Sequence, residues 1–102
     1  MSDDNTSNSL YKGTILTGSS NFAEWEGDIQ AVLAAKDLLD YIYETVAQLD
    51  DENERTKARK TWGTVFMSLS PDVKANLSVE ARDAHGGNAV TMWNEIKEHT
   101  RL

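Results

Sequence analysis

Ala58, Trp62, Val65, Phe66 and Leu69 recur at i, i+4, i+7, i+8 and i+11, and only a helical turn of 3.6 residues brings such positions onto one face. This stripe predicts an amphipathic helix whose tryptophan-bearing face must be buried against other parts of the chain. Two segments offer matching faces. Phe22, Trp25, Ile29, Val32 and Leu33 form one, and Ala89, Met92, Trp93 and Ile96 form another. All three tryptophans thus fall on helical stripes, where aromatic side chains are usually core. The expected core is Phe22, Trp25, Ile29, Leu33, Trp62, Phe66, Leu69, Trp93 and Ile96. The predicted fold class is all-α, a small bundle of four to five helices with an extended N-terminal segment. At 102 residues the chain has room for one such domain.

Local signals place the helix ends. Asn21 is expected to cap the first helix, with Glu24 in capping-box position. Asp37 is expected to cap a short element in which Leu38, Leu39, Tyr41 and Ile42 crowd together. Asp51 and Glu54 repeat the capping-box spacing at the start of the tryptophan helix. Ser70-Pro71 ends that helix and starts a shorter one with Val73 and Leu77 on its apolar edge. Arg82 to Gly87 reads as a loop, and Asn88 as the cap of the last helix. Residues 1–9 contain no apolar side chain after Met1, so they are expected to form a disordered acidic tail. Residues 10–102 then form a single helical lobe. Leu10, Tyr11, Ile15 and Leu16 are expected to lie on that lobe as an extended strap without a sheet partner, and they are the candidate contact segment.

Composition narrows the function. Lys and Arg number 10 against 17 Asp and Glu, so the net charge is −7. Phosphate contact needs clustered cations, so direct nucleic-acid binding is not expected, nor is attachment to an anionic membrane. Self-assembly would have to proceed against like-charge repulsion. No apolar run approaches the ~20 residues of a membrane span, and the polar start Ser2-Asp3-Asp4-Asn5 is unlike a secretory signal; the expected location is cytoplasmic. Cysteine is absent. Gly13 and Gly18 have the spacing of a phosphate-binding loop, but Ser19 stands where that loop needs lysine. His85 and His99 do not form the i, i+4 pair of a helical metal site. Arg55, Lys57, Arg59 and Lys60 read as the wet side of a helix, within reach of Glu52 and Glu54. The reading is therefore of a non-enzyme with no cofactor and no metal, working through its surface.

The order of the core residues resembles a known family. Leu16-Thr17-Gly18, then Asn21-Phe22, then Trp25, is similar to the opening of Gag proteins from Ty1/copia-type LTR retrotransposons. Behind it the family has a helix ending in an apolar pair, here Val32-Leu33, and a short step matched by Leu38 to Ile42. A tryptophan helix follows, matched by Trp62, Val65 and Ser68-Leu69. A final block is matched by Ala89, Met92-Trp93 and Ile96. The resemblance covers about residues 14–98. It implies the N-terminal lobe of a retroviral-type capsid segment and a structural role in virus-like particle assembly, with other Gag subunits as partners. The family continues into a second helical lobe and usually a cysteine-rich zinc knuckle that binds RNA. The lack of cysteine here implies an excised lobe or a shortened, domesticated descendant. A domesticated lobe would instead hold a partner peptide in a hydrophobic groove.

Overall fold

The computed structural model describes residue 11, residues 13–43 and residues 51–100. The expected tail over 1–9, Leu10 and the stretch 44–50 lie outside the described residues. Among the described residues four α-helices follow in order: α1 (Phe22–Ala35), α2 (Glu52–Met67), α3 (Pro71–Ala75) and α4 (Ala89–Thr100). Single 3-10 turns occur at Ser19–Asn21 and Leu39–Ile42. The all-helical expectation holds, and α2 packs most extensively against α4.

Helices α1, α2 and α4 bury most of the face their periodicity predicts, although Val32 of α1 is only partly buried. Trp25, Ile29 and Leu33 of α1 are fully buried, as are Ala58 and Val65 of α2 and Ala89, Met92 and Ile96 of α4. Trp62 and Trp93 join them in one continuous core with Leu69, Val73 and Leu77. The Trp25 and Trp93 rings lie 5.4 Å apart, and Trp62 stacks on Phe66 at 4.8 Å. Phe22 and Phe66 depart from the expected core, because both are only partly buried and pack against its edge.

Polar residues on the buried faces are satisfied by their own helices. Thr61 and Thr64 donate to the carbonyls of Lys57 and Lys60, both at 2.9 Å, and Thr100 donates to Ile96 at 2.7 Å. Such bonds to the preceding turn let a hydroxyl enter a core without an unpaired proton.

The caps divide into two groups. Ser70 accepts from Val73 N–H at 3.3 Å, with Pro71 at the first helical position. Asp51 accepts from Asn53 N–H and Asn88 from Thr91 N–H, both at 3.0 Å. Three other assignments are corrected. Asn21 precedes α1 but makes no side-chain cap bond. Glu54 does not close a box with Asp51; its carboxylate accepts from the Tyr41 hydroxyl. Asp37 does not start the next element but ends α1. It sits at φ 61°, while Asp37 N–H reaches Ala34 O at 3.1 Å and Leu38 N–H reaches Leu33 O at 2.7 Å. This is a Schellman motif, closed by the buried pair Leu33 and Leu38.

The loop before α4 presses on α2 at Gly87. Its φ is 57°, and a Cβ there would meet Arg59 Cγ at 2.6 Å. Glycine is required on both counts.

Candidate functional site

Leu16 is fully buried, and its backbone is paired on both sides. Its N–H donates to Ser68 O at 2.8 Å, and its carbonyl accepts from Ser70 N–H at 2.9 Å. The strap therefore has a sheet-like partner after all, a single parallel bridge to Leu69 at the end of α2. Asn21 holds the next turn of chain, accepting from Thr17 N–H at 3.0 Å and donating to Ile15 O at 2.8 Å. That is why its side chain is not free to cap α1. Upstream, the Thr14 N–H and hydroxyl both donate to one oxygen of Asp28.

These bonds sort the candidate contact residues. Leu16 is committed to the core. Ile15, expected beside it on the core, faces outward at 40 % exposure, because successive residues of an extended chain point to opposite sides. Tyr11 packs against the core edge. Its hydroxyl is buried and has no hydrogen-bond partner among the described residues. Burial, and secondarily the Asp28 charge, push its pKa up to about 12. Leu10 lies outside the described residues.

A second feature was not foreseen. The turn that ends α1 brings Lys36 and Leu38 alongside α2, and together with Lys57, Lys60, Gly63 and Met67 they enclose a cleft of about 490 Å³. Most of its lining is apolar, and three lysines are among the lining residues. The basic run of α2 is thereby divided. Lys57 and Lys60 line the cleft, whereas Arg59 turns away and donates to His85 O at 3.3 Å. The i, i+3 spacing of Lys57 and Lys60 placed them on one helix face in the sequence. Nothing local announced Lys36 as their neighbour.

His85 and His99 are exposed and sit on separate elements. His99 borders a cavity of about 110 Å³ with Gly18, Asp72 and Asn76. Among the described residues no group of three His, Cys, Asp or Glu side chains is placed to hold a metal ion, and no helix is long and apolar enough to cross a membrane. No family model matches the chain, and no curated protein or solved structure shows significant similarity to it.

Proposed function

We propose that this chain is a Gag-like capsid lobe of the Ty1/copia type, which contributes protein–protein contacts to particle assembly. The observation that supports this reading is that the separate blocks carrying the resemblance are one another's partners. Leu16 of the opening block bridges Leu69 of the third. Trp25 of the opening block donates to Ser68 of the third at 2.8 Å and packs on Trp93 of the last. The blocks of the pattern thus meet in one core, as the resemblance implies they should.

Assembly lattices sum many weak contacts, so a single lobe is expected to be monomeric in dilution and to associate as concentration rises. Sedimentation velocity across a wide concentration range tests this. A rising weight-average sedimentation coefficient supports the reading. A monomer at every concentration overturns it and favours the alternative, a domesticated module that holds a partner peptide in a hydrophobic groove.

A further inference from the structure

Val79 is the most exposed of the large apolar side chains among the described residues, at 79 %. The turn that carries it is firmly held. Ser78 N–H and its hydroxyl both donate to the Glu95 carboxylate of α4, at 2.8 and 2.6 Å. Arg82 N–H reaches back to Ser78 O at 3.1 Å. Ala81 is fully buried, and its carbonyl accepts from Trp62 Nε1 at 2.8 Å. An apolar side chain held out on a rigid turn loses little entropy when it is covered. Glu80, Arg82 and Asp83 line one shallow depression with Val79, and all three are exposed.

The three lysines of the cleft are opposite in charge to Glu80 and Asp83. Leu38, Gly63, Thr64 and Met67 line the cleft together with Lys36, Lys57 and Lys60. In a chain of net charge −7, most surfaces of two copies repel. The cleft is where an acidic, apolar-tipped segment of a second copy is welcomed.

We propose that Val79 of one copy, together with Glu80 and Asp83, seats in the cleft of the next copy against Lys36, Lys57 and Lys60. The proposal rests on reading the chain as a self-assembling lobe and names the contact. Its symmetry follows from helix geometry. The cleft uses the α2 face of Lys60, Gly63 and Met67, whereas Phe66 of α2 shares its depression with Val79. At ~100° per residue these faces are turned roughly 100° from each other. The contact therefore joins two different surfaces and is heterologous.

The test is sedimentation equilibrium of the full chain and four variants, each first shown by its melting curve to be folded. Lys57→Glu with Lys60→Glu should weaken association about tenfold, since two exposed charge contacts are lost. Val79→Ser, which changes no charge, should weaken it as well. Glu80→Lys is the decisive arm. It makes the chain less negative and so reduces general repulsion, yet it should still weaken association. Combining Glu80→Lys with both lysine reversals should restore binding by exchanging the signs of the Val79 turn and the cleft. If the wild type associates and the variants behave like it, or if Glu80→Lys strengthens association, the contact is wrong while the assembly reading stands. A wild type that stays monomeric overturns both. A monomer that takes up a short Glu- and Val-rich peptide at the cleft assigns that site to a foreign acidic segment and also overturns the proposal.

Discussion

The indole N–H of Trp25 donates to the hydroxyl of Ser68 at 2.8 Å, across 43 residues of chain, at a point where both side chains are fully buried. The same hydroxyl donates its proton to Val65 O at 2.5 Å. Ser68 thus accepts from one helix and donates to its own. Replacing it leaves the Trp25 N–H without a partner in the core, and an unpaired buried donor costs about 1–3 kcal/mol. Ser68→Ala should lose about that much in urea unfolding. The loss should shrink when Trp25→Phe is already present, because that variant has no N–H to orphan. An equal cost in both backgrounds would show that the indole bond contributes nothing.

Leu16 and Ile15 are neighbours with opposite fates, and the contrast is measurable. Leu16 is fully buried and Ile15 faces out. Leu16→Ala should cost about 2–5 kcal/mol, as buried leucines do. Ile15→Ser should stay within about 0.5 kcal/mol. At the level of segments, removing residues 1–9 should leave the melting temperature nearly unchanged, while removing 1–17 should lower it clearly. Matching melting temperatures for the two truncations would contradict a bracing role for the strap.

What could be read in advance was the information that is local. The 3.6-residue period of Trp25, Ile29 and Leu33, or of Ala58, Trp62 and Val65, is written within one segment, and so are the caps at Ser70, Asp51 and Asn88. The features that escaped depend on distant parts of the chain. Asn21 has the residue type of a cap, but the strap claims its amide. Glu54 is positioned for a capping box, but Tyr41 reaches it first. Thr61, Thr64 and Ser68 are polar side chains, yet they are buried, and each hydroxyl is paired inside the fold. The strap's bridge consists of one residue pair, too short to leave any two-residue alternation. The lysine cleft needed the reversal at Asp37 to bring Lys36 to α2.

Asp37 is also a point of avoidable instability. It occupies the left-handed position that closes the α1 Schellman motif, where glycine has no steric penalty. Its negative charge also follows directly on the C-terminal, negative end of the helix dipole. Asp37→Gly removes both penalties, and against them stands only the greater freedom glycine gives the unfolded chain. The net expectation is a gain of up to about 1 kcal/mol, seen as a higher urea midpoint with unchanged slope. Asp37→Val, whose branched side chain tolerates this φ poorly, should destabilise.

Tyr11 gives the fold a specific weakness at alkaline pH. Its hydroxyl is buried without a hydrogen-bond partner among the described residues, and burial together with Asp28 pushes its pKa from 10.0 up to about 12. Between those two values the unfolded chain has released the phenolic proton while the folded chain still holds it. The folded state then binds more protons, so stability must fall as pH rises through that window. Below pH 10 both states are neutral and the group contributes no pH dependence. Tyr11→Phe removes the titration altogether. Near neutral pH it should match the wild type or exceed it by about 1 kcal/mol, since it deletes a desolvated hydroxyl and keeps the ring. From pH 10 to about 12 its advantage should grow steadily, and taking the difference between the two proteins cancels the titration of every other group. Urea unfolding of both at pH 7, 9, 10 and 11 measures this difference. A constant gap across the series would mean that the Tyr11 hydroxyl ionises as freely in the folded chain as in the unfolded one.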